Sequence, residues 1–488
     1  MLASAAARCV VLTQRVATLG VVGMLLIAFA TIADVLSRFA FSKAITGMEE
    51  VAGMALAVAV SACLPAGAAQ RVNITVDLLS GRVSAAAQAR LERFGALALL
   101  VLYALLALRV GDYAAELGAR NAVTVYVNLP IAPFLWVVTA FLAATALVQA
   151  LNVFTLARSW AAGIGLLLGA AAALLLLQLI FPPLSALAQG HPGWTSLVVV
   201  LGVWVLLAAS VPLAAALALL GVLCAGLMIG TQPALSVLGN ETAQFLMNEQ
   251  VAVVPMFLMM GSFAVVAGMA EDIYDLAHAL LAPLRGGLAL ATIGGCGGFG
   301  ALTGSSLATV ATIGRVALPE MTARGYAPTI TTGCIAAGGT LGALVPPSIP
   351  LIFYAFLTET SIGQLFIAAM VPAAMAIAFY MIAVGVTVRV SPDVAPPAAA
   401  HVDWPDVLRK VRKAWAAIAL FSAVLGGIYG GIFTETEAAA VGAAGAFVFA
   451  LLRKRMNRES FARVMGETTA TTALLYLIIF GVLMFSFS

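Results

Sequence analysis

The chain has 488 residues, of which 63% are hydrophobic and only 9% are Asp, Glu, Lys or Arg. A soluble globular domain is about 45–50% apolar and about 25% charged, so a water-soluble particle of this length could not cover its surface. The mean hydropathy of +1.09 agrees. The composition therefore predicts a polytopic membrane protein whose charges lie mostly at the ends of its apolar segments.

The formal net charge of +3 is too small to indicate a nucleic-acid partner, and the basic residues are not interleaved with aromatic ones as in a binding groove. The cysteines are scattered through mostly apolar stretches without CxxC spacing, and the histidines lie far apart. We expect buried thiols, no zinc or haem site and no cofactor. The cysteines are Cys9, Cys63, Cys224, Cys296 and Cys334, and the histidines are His191, His278 and His401.

The N-terminus has features of a secretory signal peptide. Arg8 and Arg15 precede an apolar run, and Ala28-Phe29-Ala30 resembles a cleavage site. The apolar run, however, continues to Leu36, which is long enough to span hydrocarbon. We therefore predict an uncleaved first transmembrane helix.

A bilayer core of about 30 Å requires roughly 20 apolar residues of helix. Segments that approach this length predict an all-α polytopic protein with about 12 or more transmembrane helices. The stretch 196–229 is too long for one span and contains Pro212, so it is either two segments or one kinked helix. The predicted segments are 16–36, 50–69, 95–110, 127–151, 162–181, 196–229, 251–269, 328–345, 362–389, 414–432, 434–452 and 467–485.

The charges of the loops predict the orientation. Two loops rich in Lys and Arg, 389–413 and 453–463, are separated by two spans and therefore share one side. The positive-inside rule makes that side cytoplasmic. Arginines in the 70–94 loop place it and the N-terminus there as well, and the short loop with Arg38 and Lys43 is then external.

The chain also divides into parts along its length. Residues 1–155 hold four predicted spans, and 156–195 hold a joining helix and an external linker without Lys or Arg between 182 and 195. The remainder, 196–488, is denser in Gly, Ala and Pro.

The stretch 286–358 carries the strongest functional pattern, because glycines and prolines interrupt it at bilayer depth. Lipid cannot satisfy the backbone groups that such breaks release, so they persist only in protein or beside a wet cavity. The stretch 287–318 predicts a re-entrant helical hairpin, and the Pro346-Pro347 pair predicts a discontinuous helix. Released carbonyls can coordinate Na⁺, and helix N-termini can face an anion. The candidate residues are Thr303, Gly304, Ser305, Ser306, Gly339, Thr340, Gly342, Pro346, Pro347 and Ser348.

Within that set, Ser305, Ser306, Gly339, Thr340 and Pro346 are the Na⁺ candidates. Glycines that simply permit close helix packing are the alternative. The spacing Gly295-x-Gly297-x-x-Gly300 also matches a dinucleotide fingerprint, but that motif requires a soluble βαβ unit, and this stretch is flanked by membrane spans.

Three further groups of residues have open interpretations. Asp275 and His278 share a helix face and could serve an intramembrane hydrolase, although an interfacial helix is the simpler interpretation. Glu49-Glu50 are either structural or functional. Thr434 and the acidic residues after it suit a helix N-terminus, and Glu437 could approach the site.

Three motifs in this order resemble the large permease subunit of tripartite ATP-independent periplasmic (TRAP) transporters: TGSSLATVATIGRVALPEMTARGY at 303–326, AAGGTLGALVPPSIPLIFY at 336–354 and TETEAAAVGA at 434–443. Residues 1–155 resemble the small permease subunit more weakly, through Arg38-Phe39, Glu49-Glu50 and Val72-Asn73-Ile74-Thr75-Val76-Asp77. Together they resemble the fused form of the two subunits.

The resemblance implies an importer and not an enzyme. It implies a bacterial inner-membrane permease of the elevator type, driven by Na⁺, that takes organic anions, usually carboxylates, from a separate periplasmic binding protein. The small-subunit part would be a static scaffold. Thr303 to Ser306 would form the first hairpin tip, and Gly339, Thr340 and Pro346 to Ser348 the unwound helix that completes one Na⁺ site.

The sequence departs from the family pattern in three places. Thr303 stands where serine is commoner, and Asn73 stands where the small subunit often has histidine. The large subunit is built from inverted repeats, here 196–389 and an incomplete 414–488 without a second hairpin. We therefore expect either a fragment or a chain that cannot complete the second half-site, and a non-transporting scaffold is the corresponding alternative.

Overall fold

The computed structural model describes residues 2–75, 84–157, 160–397 and 402–487, and the chain is helical almost throughout these ranges. The predicted all-α class is confirmed. The predicted features at Val76, Asp77 and His401 lie outside the described residues. The helices are α1 (Leu2–Phe41), α2 (Met48–Ser61), α3 (Leu64–Ala69), α4 (Ala85–Ala119), α5 (Ala132–Ala157), α6 (Trp160–Gly190), α7 (Pro192–Ala208), α8 (Leu213–Ile229), α9 (Thr231–Met247), α10 (Val253–Val266), α11 (Met269–Leu281), α12 (Gly287–Thr303), α13 (Ser306–Ala323), α14 (Pro328–Thr340), α15 (Ile349–Leu357), α16 (Ile362–Val390), α17 (Trp404–Tyr429), α18 (Glu435–Leu452) and α19 (Arg458–Phe487).

Nine segments in the described ranges are long and apolar enough to cross a membrane, and they coincide with nine of the predicted spans. This result agrees with a multi-pass membrane protein. The segments are Ala6–Phe41, Met48–Ala69, Ala85–Ala119, Ala132–Ala157, Glu249–Val266, Ile362–Val390, Trp404–Tyr429, Glu435–Leu452 and Arg458–Phe487.

The predicted count of about 12 or more spans is not confirmed. The stretch 196–229 forms two helices, α7 and α8, because Pro212 has no amide hydrogen to continue a helix. The stretch 328–345 holds only the 13 residues of α14 before the helix tightens and ends. The stretch 162–181 lies within the single helix α6.

The predicted linker loop 182–195 is also mostly helical. Helix α6 continues through Pro182 and Pro183 to Gly190. The chain then turns by 118° into α7. A proline inside a helix is tolerated where neighbouring groups satisfy the freed carbonyl, so the two prolines alone did not end the helix.

One compact unit comprises Met1–Met24, Thr46–Val251 and Met465–Ser488. Helices α4 and α5 pack along their length within it. Buried amides join its helices, because the Gln149 side chain donates to the Ala96 carbonyl at 2.9 Å and the Asn152 side chain to the Ala68 carbonyl at 2.8 Å.

The other compact unit comprises Leu25–Ile45 and Ala252–Val464. Small residues allow its helices to approach closely. A Cβ atom added to Gly442 on α18 would lie 2.4 Å from the Met260 sulfur on α10. Helices α12, α13, α14 and α15, which carry the predicted site, all belong to this unit.

Candidate ion and substrate site

The first predicted break is a sharp turn between α12 and α13, which pack against each other as a hairpin. Gly304 ends α12 in the left-handed region, with φ of 60°, and its N–H donates to the Gly300 carbonyl at 2.8 Å. Glycine adopts this conformation without a steric penalty. Ser305 then caps α13, its hydroxyl accepting from the Ala308 N–H at 3.4 Å.

The second predicted break separates α14 from α15. After Thr340 the chain tightens into a 3₁₀ turn at Leu341–Ala343, runs without helix over 344–348 and restarts at Ile349. The buried Ser348 hydroxyl donates to the Ala343 carbonyl. Within the described part of the chain, no hydrogen-bond donor reaches the carbonyl oxygens of Val345, Pro346 and Pro347. This stretch therefore has the released carbonyls that the sequence predicts.

The two breaks contact each other through their backbones. The Ile349 N–H at the start of α15 donates to the Gly304 carbonyl at the hairpin tip, at 3.2 Å. A Cβ atom on Gly304 would lie 2.7 Å from the Pro347 carbonyl oxygen, and one on Gly342 would lie 2.7 Å from the Ser305 carbonyl oxygen. Only glycine allows the two interrupted helices to meet this closely.

Two buried hydroxyl groups lie at the same place. Thr303 and Thr309 have their Oγ1 atoms 3.0 Å apart, and the Thr309 hydroxyl also lies 2.8 Å from the Ser305 carbonyl, to which it donates. Thr309 is not among the residues that the sequence pattern singles out. Its position one helical turn after the cap residue Ser305 was the available signal, because residues four apart share a helix face.

The remaining candidates lie beside this contact or away from it. Gly339 is buried against the Val310 side chain of α13, with the Ser306 carbonyl oxygen 3.6 Å from its added Cβ. Thr340 is exposed, and its hydroxyl pairs with the Tyr380 hydroxyl at 3.0 Å and donates to the Ala337 carbonyl. The structure thus brings together Thr303, Gly304, Ser305, Gly342, Pro347 and Ser348, with Pro346 adjacent, and places Thr340 against α16.

The donor atoms gathered here are hydroxyl and carbonyl oxygens. In the described ranges, no group of three or more His, Cys, Asp or Glu side chains is arranged to hold a metal ion. Neutral oxygen ligands suit a hard monovalent cation, because a transition metal prefers imidazole or thiolate. The set is chemically able to hold Na⁺.

The glycines inside α12 serve packing. A Cβ on Gly295 would lie 3.3 Å from the Tyr274 ring, and a Cβ on Gly297 would lie 2.9 Å from the Ile377 side chain. The fingerprint spacing therefore lies on one helix, without a βαβ unit in the described ranges. Gly300, Gly304 and Gly342 differ from Gly295 and Gly297, because a Cβ atom on any of the three would meet backbone atoms of the other break.

Asp275 and His278 do not form a catalytic pair. The Asp275 carboxylate accepts from Lys413 at 3.1 Å, and no hydrogen bond joins it to His278 among the described residues. Burial lowers the pKa of His278, and the positive charges of Arg324 and Lys410 lower it further. The interfacial-helix interpretation fits α11 better than an enzyme does.

The other acidic residues singled out from the sequence have structural partners. Glu50 accepts from the N–H groups of Val125, Tyr126 and Val127 at 2.7 to 3.1 Å. Glu437 forms the capping box of α18 with Thr434 and also binds the Arg38 guanidinium. Neither carboxylate contacts the two breaks.

Comparison with known proteins gave two family matches. Residues 200–488 match the family described as "Tripartite ATP-independent periplasmic transporter, DctM component". Residues 27–159 match "Tripartite ATP-independent periplasmic transporters, DctQ component". The two matches cover separate parts of the same chain.

Curated relatives are similar to part of this chain. The C4-dicarboxylate TRAP transporter large permease protein DctM of Pseudomonas aeruginosa is 39% identical over 234 residues, 48% of this chain and 54% of its own length. The isethionate TRAP transporter permease protein DctMQ of Oleidesulfovibrio alaskensis is 35% identical, over 45% of this chain and 35% of its own length. The sialic acid TRAP transporter large permease protein SiaM of Vibrio cholerae is 30% identical, over 49% of this chain and 55% of its own length. The chain spans about half the length of the large permeases that it matches.

Proposed function

Because the chain belongs to the family of TRAP transporter permeases, with both permease components in one chain, we propose that it imports organic anions together with Na⁺. Carboxylates are the first substrate class to test, since similar permeases are named for C4-dicarboxylates and sialic acid. A periplasmic solute-binding protein delivers the anion, and the family is one of transporters rather than enzymes.

The observation that carries this proposal is the contact between the two interrupted helices. Irregular backbone at bilayer depth requires either protein cover or a wet cavity, and here two breaks share a hydrogen bond between Gly304 and Ile349. The carbonyls of 345–347 and the hydroxyls of Thr303 and Thr309 offer oxygen ligands to Na⁺. The N-terminus of α13, after Ser305, offers N–H groups to a carboxylate.

The proposed arrangement in the membrane follows the charges of the loops. We place the chain in the bacterial inner membrane with a cytoplasmic N-terminus. The hairpin α12–α13 is re-entrant, 1–155 is a static scaffold, 156–195 joins the parts, and 196–488 moves as an elevator that carries the site across.

Uptake by proteoliposomes tests the proposal. The permease is reconstituted with the periplasmic solute-binding protein that the proposal requires and is given labelled succinate. We expect accumulation under an inward Na⁺ gradient and none under a matched K⁺ gradient or without the binding protein. Uptake that requires ATP and ignores Na⁺ would contradict the mechanism.

A further inference from the structure

The first turns of α17 present an apolar stripe to the outside of their unit. The helix has 26 residues. Its length is therefore about 39 Å, more than the roughly 30 Å of a hydrocarbon core. The exposed residues follow a spacing of three and four, which is one face of a helix. Trp404 is 69% and Trp415 is 54% exposed, and Leu408, Val411 and Ile418 complete the stripe.

Basic side chains lie beside the stripe. Arg409 and Arg412 each follow a stripe residue, so they lie about 100° further around the helix. Arg409 has 76% of its side chain exposed, and its carboxylate neighbour Asp406, 3.7 Å away, is also bound by Lys410 at 3.0 Å. Arg412 is exposed and forms no ion pair among the described residues.

The loop after α18, which begins beside the first turns of α17, carries further positive charge. Arg453 donates to the Lys413 carbonyl at 2.9 Å, and the Trp415 and Phe449 rings lie 5.2 Å apart, so the end of α18 lies against the first turns of α17. The residues that follow are exposed, and in the described ranges no carboxylate pairs with them: Lys454, Arg455 and Arg458.

We propose that this basic–aromatic ridge binds anionic phospholipids of the leaflet that the positive-inside rule makes cytoplasmic. The ridge consists of Trp404, Leu408, Val411 and Trp415 with Arg409, Arg412 and Lys454. Acyl chains cover the apolar stripe, which continues into the membrane-spanning part of α17 at Ile418. Phosphodiester groups pair with the guanidinium and ammonium groups.

Charge and position favour lipid over a protein partner. The stripe is continuous with an apolar face that must contact acyl chains wherever α17 crosses the bilayer. Tryptophan prefers the boundary between hydrocarbon and headgroups, and basic side chains extend from that boundary toward phosphate. The inference does not depend on the transported solute or on Na⁺.

Quenching by brominated lipids tests the inference. The reporter chain keeps Trp404 and Trp415 and carries Trp136→Phe, Trp160→Phe, Trp194→Phe and Trp204→Phe. It is reconstituted in phosphatidylcholine with increasing brominated phosphatidylglycerol or brominated phosphatidylcholine. We expect brominated phosphatidylglycerol to bind the ridge at least threefold more strongly than brominated phosphatidylcholine does.

Substitutions of basic residues test whether the ridge causes the preference for phosphatidylglycerol. Arg409→Gln with Arg412→Gln should lower the ratio of phosphatidylglycerol binding to phosphatidylcholine binding toward one. Arg409→Lys with Arg412→Lys should keep that ratio. Lys43→Gln with Arg120→Gln removes the same charge elsewhere and should leave the ratio unchanged. Equal quenching by the two lipids, or a ratio that survives the Gln variants, would overturn the assignment. Tryptophans that neither lipid quenches would indicate a protein-covered ridge and overturn it as well.

Discussion

At the scale of single residues, the site depends on backbone conformation more than on charge. Gly304 combines a positive φ with a close contact to the Pro347 carbonyl, so a side chain there meets two penalties. Thr303 and Thr309 hold their hydroxyl groups together where α13 begins. None of these groups is ionised, which suits the proposed Na⁺ site, because a transported cation must be both bound and released.

Gly304→Ala should destabilise the protein by about 1–3 kcal/mol and weaken any stabilisation by Na⁺, because the new Cβ is strained and displaces the Pro347 carbonyl. Gly325→Ala is the matched control. Gly325 also has a positive φ, of 76°, but open space surrounds its Cβ position. Thermal unfolding in detergent, with NaCl or KCl, compares the two variants. Equal losses in both would show that the contact between the breaks contributes nothing.

Thr309→Val should lower the apparent Na⁺ affinity about tenfold, since Thr303 loses its hydroxyl partner and the Ser305 carbonyl loses one donor. The control is Thr332→Val, because Thr332 is exposed and its hydroxyl donates only to the Pro328 carbonyl one turn earlier. The measurement is the dependence of the melting temperature on Na⁺ concentration. If the melting temperature of Thr309→Val depends on Na⁺ concentration as that of the wild type does, Thr309 does not contribute to Na⁺ binding.

At the scale of helices, buried ion pairs fix the ends of elements. Asp272 on α11 is buried and binds both Arg453, at the end of α18, and Lys413 on α17. Asp34 and Arg38 near the end of α1 join Glu437 at the start of α18. Asp272 and Glu437 lie in the first turns of their helices, where backbone groups also need partners.

Arg38→Met should destabilise the fold by about 2–3 kcal/mol. The replacement leaves two carboxylates, each in a residue 8% exposed, without their cation. The 37% exposure of the Arg38 side chain keeps the loss below that of a fully buried pair. Arg120→Met, which breaks the exposed pair with Glu116, should cost less than about 1 kcal/mol. Chemical unfolding of both variants measures the difference, and similar losses would contradict the account.

Stability should also depend on pH through α11. The folded protein lowers the pKa of His278 below its usual value of 6.5, so the folded state binds a proton less readily than the unfolded state. Stability is therefore full above about pH 6.5 and falls as the pH decreases toward the lower folded value. His278→Gln should flatten the fall between pH 7 and 5.5 in unfolding measurements. A profile that is the same in wild type and variant would exclude His278 as its source.

At the scale of the whole molecule, the sequence predicts the all-α class and twelve apolar segments, of which nine coincide with candidate spans in the described ranges. It also predicts the helix breaks near Gly304 and Pro346, because hydropathy and the positions of Gly and Pro act locally. It could not predict that the Gly304 carbonyl meets the Ile349 N–H, since residues 45 apart pair only through tertiary packing. The direction of Thr340 toward Tyr380 depends on where α16 lies. The stretch 328–345 was counted as a span because its apolar composition hides the shortness of α14.

Direct binding of ²²Na⁺ to the purified chain tests whether the two interrupted helices together hold Na⁺. Wild-type protein should bind ²²Na⁺ saturably, unlabelled Na⁺ should compete and K⁺ should not, and Gly304→Ala should bind far more weakly than Gly325→Ala. Absence of saturable binding, or equal competition by K⁺, would contradict the proposed Na⁺ site.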